Sequence, residues 1–223
     1  MKRRTDFTAT IASQVDDFMP TFNARIGPEL ARVFEREQQD LRRAGVPSGT
    51  AVAGDKLPDA VLSGVDGSSE RLSTLLDGAA AVIVFYRGSW CPFCDIALRT
   101  YQRELRPVVD ALGTKLLAVS PQAPHKAAAS ARTAGLTLDQ YCDEGNALAR
   151  SLGIVTTPSD EAMRARAALG IDVVGAGMDR TATIPFPTVL VCDATGTIRL
   201  IDVRADYTTR TETCDIVDAL IAL

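Results

Sequence analysis

The sequence predicts an α/β fold in which helices flank a central mixed β-sheet, with a helical extension at the N-terminus. Three observations carry that reading. AAVIVFY, residues 80–86, is an unbroken apolar run of strand length, suited to a central strand buried on both faces. From about Ala51 onward, strand-type runs alternate with helical stretches, the pattern of helices packed on a sheet. Near the C-terminus, TVLVCD, the turn ATG and TIRLIDV read as an antiparallel hairpin, so the sheet is mixed.

Taken in order, residues 5–18 and 28–44 read as amphipathic helices. In the second, Pro28 suits the first helical position, and Leu30, Val33, Phe34 and Leu41 recur at roughly helical spacing. GVPSGTAVAGDKLP breaks the pattern and serves as a linker, dividing the chain into an extension, 1–50, and a main domain, 51–223. Two helices with a narrow apolar stripe cannot build a core alone, so they must pack on the main domain or on a second copy of the chain. AVLSG followed by DGSSERLS reads as a hairpin. After the central strand, a helix runs from near Cys91 to Leu112, and KLLAVS forms a second central strand. Helices near 124–134, 145–152 and 160–169 follow, and DIVDALIAL closes the chain as a helix.

Composition narrows the function. A net charge of −4, with Lys and Arg scattered among Asp and Glu, gives no electrostatic case for nucleic acid or an anionic membrane surface. The basic start, MKRR, is followed by Asp6, Asp16 and Asp17, which interrupt any signal-peptide core. The longest apolar stretch, near Ala79 to Tyr86, falls far short of the ~20 residues of a membrane span. A soluble, cytoplasmic protein is expected. The five cysteines, Cys91, Cys94, Cys142, Cys192 and Cys214, contain one close pair, which is not the pattern of a secreted disulfide framework.

That pair, in FYRGSWCPFC, carries the chemistry. An ordinary cysteine titrates near 8.5, so about 3% is thiolate at neutral pH; a value near 6 would make it about 90% thiolate. A helix N-terminus favours the anion through its unpaired N–H groups and its dipole. Here a strand runs into RGSW and then into a helix, which puts Cys91 and Cys94 at the first turn, with Arg87 adding positive charge nearby. Residues three apart on a helix are close enough for a disulfide. Zinc would need four ligands, and the chain offers no second C-x-x-C and a single histidine, His125. No cofactor or metal motif is present, and dithiol chemistry needs none.

Beyond the pair, GDKLPDAVLSGVDG, FYRGSWCPFCDIALRTYQ, LLAVSPQ, GIVTTP, IPFPTVLVCDATGTIRLIDV and ADYTTR together resemble peroxiredoxin-like proteins. These form the alkyl hydroperoxide reductase/thiol-specific antioxidant branch of the thioredoxin superfamily, and the resemblance covers roughly residues 53–223. It implies a thioredoxin fold and reduction of hydroperoxides, with electrons from thioredoxin or a similar thiol donor. Laying Phe85-Tyr86 on the aromatic pair of such enzymes puts Cys94 at the peroxide-attacking position and Cys91 where a threonine belongs. The same register puts Arg87 where a proline belongs and Pro187 where an arginine belongs. The W-C-x-x-C of thioredoxins resembles Trp90 to Cys94, and their cis-proline resembles Pro187; in that register Cys91 is the nucleophile and Cys94 resolves.

The expectation is therefore a thiol-dependent peroxidase in which Cys94 attacks the peroxide, Cys91 resolves the sulfenic acid as a disulfide, and Arg87 supplies the missing arginine. Trp90, Pro187 and Thr188 are expected to line the substrate groove; the resemblance points to a cis bond at Pro187, and a trans proline at the strand entry stays open as the alternative. Two alternatives stay open: a thioredoxin-like disulfide reductase with Cys91 as nucleophile, and a non-catalytic redox sensor whose N-terminal helices dock a partner. A homodimer through those helices is open as well. Cys142, Cys192 and Cys214 are expected to be structural, and His125 a surface residue.

Overall fold

The computed structural model describes residues 9–223. Helices α1 (Ile11–Ile26) and α2 (Pro28–Ala44) come first. The main unit then runs β1 (Val61–Gly64), β2 (Ser69–Arg71), α3 (Leu72–Leu76), β3 (Ala81–Phe85) and α4 (Pro92–Thr100). A π-helical turn, Tyr101–Leu105, joins α4 to α5 (Arg106–Ala111). There follow β4 (Lys115–Ser120), α6 (Pro124–Ala134), β5 (Asp139–Cys142), a 3₁₀ turn at Glu144–Asn146, and α7 (Ala147–Ser151). The chain ends with β6 (Val155–Thr156), α8 (Asp160–Ala168), α9 (Val173–Ala176), β7 (Ile184–Pro185), β8 (Thr188–Cys192), β9 (Ile198–Val203) and α10 (Thr213–Ile221).

Seven strands form one mixed sheet in the order β2-β1-β5-β4-β3-β8-β9. β3 lies parallel to β4 and antiparallel to β8, with Val84 opposite Val189 and Phe85 opposite Thr188. Strand side chains alternate between faces, so the unbroken run in β3 feeds two cores at once. Val82, Val84 and Tyr86 join a core under α4 and α10; Ala81, Ile83 and Phe85 join a second core with Leu148 and Ile154 on the other face. The expected helix from Cys91 to Leu112 is one helical path with a widened turn, placed just ahead of Pro107. That proline has no N–H to give the carbonyl four residues back, and a π turn absorbs the mismatch.

The extension packs on the main unit. α1 lies against α4, and its first turn is held by Glu212, whose carboxylate accepts from Ile11 N and Ala12 N at 2.8 and 2.9 Å. A carboxylate there satisfies helix-start N–H groups and matches the dipole. α1 runs through Pro20 to Ile26, eight residues beyond the expected end at residue 18; residues 5–8 of that expectation lie outside the described residues. α2 lies against α8 and contributes Glu37, which is buried and pairs with buried Arg166 through two hydrogen bonds of 2.7 and 3.1 Å. Among the described residues, no helix is long and apolar enough to cross a membrane.

Candidate active site

β3 carries Phe85 to the end of the sheet, and the loop Tyr86–Trp90 turns the chain into α4. Gly88 adopts φ +137°, and a Cβ there would come within 2.6 Å of Trp90 Nε1, so only glycine lets the indole fold back over the loop. Gln122 fixes the turn from outside: its Oε1 accepts from Ser89 N at 2.7 Å and its Nε2 donates to Ser89 Oγ at 2.8 Å.

Cys91 then occupies the N-cap of α4, with Pro92 at the first helical position and Cys94 in the first turn. Both cysteines are 1% exposed, and all five cysteines are free thiols. The Nη2 of Arg210, from the loop between β9 and α10, lies 3.1 Å from Cys94 Sγ and 3.8 Å from Cys91 Sγ. Its Nη1 donates to the carbonyls of Tyr207 and Thr209 at 2.5 and 2.6 Å, which fixes the guanidinium over the pair.

Burial alone would push both thiols up. At Cys91 that effect is overcome by hydrogen bonding from the Cys94 thiol, the charges of Arg87 and Arg210, and the Cys94 backbone N–H, which together hold it well below the ordinary thiol value. At Cys94, burial, the hydrogen bond to Cys91 and the Cys91 charge push the thiol up, against Arg210 and the Arg87 backbone N–H. The two thiols share one charge, and we place it on Cys91, where the helix start and both arginines act together. This is the reverse of the order expected for a Cys94 thiolate.

Arg87 does not hold the sulfurs as expected. Its guanidinium stacks over the rings of Tyr207, at 4.0 Å, and Trp90, at 5.0 Å, and acts on Cys91 by charge alone. Sequence reading missed Arg210, which lies 116 residues from Cys94. Its only trace was the segment ADYTTR, quoted for its resemblance and not for its chemistry.

The remaining candidates divide. Trp90 is half-buried and lines a cavity of about 500 Å³ that opens onto Cys91. Pro187 is buried and lines a neighbouring cavity of about 260 Å³ together with Arg87, Tyr207 and Glu37. Its peptide bond is trans, since no bond among the described residues is cis, so of the two isomers open for Pro187 the structure has the strand-entry trans proline and not the cis-proline the resemblance pointed to. Thr188 is buried near Cys94 with its hydroxyl donating to the Phe186 carbonyl at 3.0 Å, so it faces neither of the larger cavities. Cys142 and Cys192 lie inside the sheet; burial pushes Cys142 up to about 12 and raises Cys192, while Cys214 is half-buried. His125 is exposed. Among the described residues, no cluster of three or more His, Cys, Asp or Glu side chains could hold a metal ion.

The sheet order, with the dithiol at the helix start after the central strand, is that of a thioredoxin-like fold. The profile of the AhpC/TSA family matches residues 53–201, more than half of the chain. The chain therefore belongs to the AhpC/TSA family, and that membership supports a thiol peroxidase role. No curated protein matches the sequence. Among solved structures, reduced Prx3 from Vibrio vulnificus, in complex with hydrogen peroxide, is 18% identical with a TM-score of 0.60, covering 77% of this chain and 99% of that one. Peroxidoxin BcpB from Mycobacterium tuberculosis is 16% identical with a TM-score of 0.59, covering 77% and 97%. The bacterioferritin comigratory protein of Xanthomonas campestris is 18% identical with a TM-score of 0.55, covering 77% and 94%. At these identities the likeness is one of fold.

Proposed function

We propose that this protein is a thiol-dependent peroxidase that reduces hydrogen peroxide or alkyl hydroperoxides through the Cys91/Cys94 dithiol and is restored by thioredoxin or a similar thiol donor. The observation that carries the reading is the buried guanidinium of Arg210 within 3.1 and 3.8 Å of the two sulfurs at a helix start. A cation held there stabilises a thiolate and can donate to a peroxide oxygen as negative charge develops on it.

The Cys91 thiolate attacks the peroxide, forming an S–O bond and breaking the O–O bond. The leaving alkoxide or hydroxide takes the proton of the Cys94 thiol, the hydrogen-bond partner of Cys91. Cys94, now a thiolate, attacks the Cys91 sulfenic acid, which closes the disulfide and releases hydroxide. Two donor thiols then supply two electrons and two protons. Arg87 assists by charge, and Trp90 and Pro187 shape the approach.

A second order of events, with Cys94 attacking first, is favoured by the shorter of the two Arg210 contacts and by the Arg87 N–H aimed at Cys94. Sulfenic-acid trapping separates the two. Cys94→Ser exposed to one equivalent of peroxide should accumulate a sulfenic acid on Cys91, while Cys91→Ser should react slowly. A fast reaction and a trapped sulfenic acid on Cys94 in Cys91→Ser would establish the other order. If peroxide oxidises neither variant faster than free cysteine, the peroxidase reading falls.

A further inference from the structure

The 500 Å³ cavity beside Cys91 is assembled by the N-terminal helices and the main unit together. Phe22 and Ile26 of α1, Phe34 of α2, and Trp90, Leu169 and Ile171 give it apolar walls. Its volume is that of a small-molecule site, and Cys91, not Cys94, lies on its lining. Cys91 itself is 1% exposed. A small molecule inside the cavity reaches this sulfur from the lining.

The cavity's charge is lopsided. Arg166 is neutralised by Glu37, Asp95, the carboxylate on the lining, is held by Arg99 at 2.8 Å, and Arg25, also on the lining, is exposed and lies over the Phe22 ring at 5.9 Å. Arg87 is 4% exposed and lines the same cavity, yet no described residue accepts a hydrogen bond from its guanidinium or pairs with it; Tyr207 and Trp90 cover its faces. None of its nitrogens is among the sealed, unpartnered polar atoms of the described residues, and at the cavity wall an anion can complete the guanidinium with charge-assisted hydrogen bonds. In the reduced protein the Cys91 thiolate supplies a nearby negative charge. Closing the Cys91–Cys94 disulfide removes that charge, so Arg87 faces the cavity uncompensated in the state that must accept the reductant.

We propose that the cavity takes the reductant, and that this reductant is a small thiol bearing a carboxylate, seated with the carboxylate on Arg87 and its sulfur at Cys91. This rests on the redox pair proposed above. The incoming thiolate attacks Cys91 Sγ, breaking the disulfide and leaving Cys94 as the departing thiolate, which is reprotonated. A second molecule of the same thiol attacks the mixed disulfide, releasing the symmetrical disulfide of the reductant and restoring Cys91. The two thiols give up two electrons and two protons.

The test uses the full chain, with Trp90, the single tryptophan, as reporter. The disulfide form, verified by mass, is mixed with 3-mercaptopropionate, 2-mercaptoethanol or cysteamine, and rates are compared per thiolate. In parallel, unreactive 3-(methylthio)propionate and its methyl ester are titrated against oxidised and reduced protein. The carboxylate thiol should react about tenfold faster than the neutral one, the scale of one charge-assisted hydrogen bond, with the cationic thiol slowest. The methylthio acid should bind more tightly than its ester and more tightly to the oxidised form, and Arg87→Gln should erase both preferences. Should that variant not fold, the ranking of ligands on the wild type decides alone. Equal rates for the three thiols, or a disulfide that ignores them all while thioredoxin reduces it, overturns this proposal and leaves the redox pair standing. A protein that binds the acid yet forms no Cys91–Cys94 disulfide overturns the redox pair, and with it the reductant's role.

Discussion

Replacing Arg210 with methionine removes the one cation among the described residues in hydrogen-bonding range of both sulfurs while keeping an apolar side chain of similar length. The contacts are 3.1 Å to Cys94 and 3.8 Å to Cys91, and the site is buried. Two unit charges about 4 Å apart interact by about 4 kcal/mol at an effective dielectric near 20. Losing one preorganised donor to developing charge costs about 10²–10³ in rate, which fits within that figure once water and Arg87 take up part of the role. The second-order rate with hydrogen peroxide should therefore fall about a hundredfold or more. Arg210 favours the charged form of Cys91, so its loss leaves less thiolate at neutral pH, and the pH–rate profile should move to the alkaline side. Stopped-flow peroxide reduction from pH 6 to 10, with iodoacetamide alkylation of Cys91 over the same range, measures both effects. Arg210→Lys keeps the charge without the planar fork and should fall between wild type and Arg210→Met. The Arg210 side chain also binds two carbonyls, so circular dichroism must show the loop and fold intact. A folded Arg210→Met protein with the wild-type rate and pH profile would refute the role given to this guanidinium.

Two further outcomes follow from the geometry. Glu37→Ala leaves Arg166 buried without its counter-charge, and breaking such a pair costs about 3–5 kcal/mol, so the urea midpoint should drop sharply; a loss below about 1 kcal/mol would mean that α2 is not anchored through this pair. Cys142, pushed up to about 12 by burial, and Cys192, also raised, should stay unlabelled by iodoacetamide at pH 7.5 until the protein unfolds, while Cys91 reacts first; peptide mass mapping reads the order, and early labelling of Cys142 would contradict its place inside the sheet.

Much of the fold was legible because local pattern and tertiary role agree. The apolar run of β3 is continuous because both of its faces are buried, and the closing hairpin of β8 and β9 announces itself through strand runs around a short turn. β5 was not legible. Its four residues, DQYC, carry two polar side chains and no alternation strong enough to separate a strand from a loop, yet it bridges β1 and β4 in the middle of one half of the sheet. The extent of α1 was misjudged for a related reason: a proline inside a helical pattern argues for a stop, but packing on α4 and the Glu212 cap hold the helix through Pro20.

The site divides along the same line, between what is local and what must be brought in. A C-x-x-C directly after a central strand and at a helix start is legible because the strand, the turn and the helix dipole are contiguous in the chain. The arginine is not. Nearness in sequence singled out Arg87, but a guanidinium seven residues from Cys94 need not point at it, and here two aromatic faces take it away from the sulfurs. The arginine that reaches them comes from a loop whose path is set by the β8–β9 hairpin and by α10, and no local spacing encodes that approach. The two arginines act by different means for this reason. Arg210 is held at the sulfurs by two carbonyls and reaches both thiols, which makes it part of the reaction centre. Arg87 has no hydrogen-bond acceptor among the described residues and stands at the wall of the cavity that Cys91 also lines, so on the proposal above its balance of charge changes when Cys91 is oxidised, and a ligand in that cavity meets both groups.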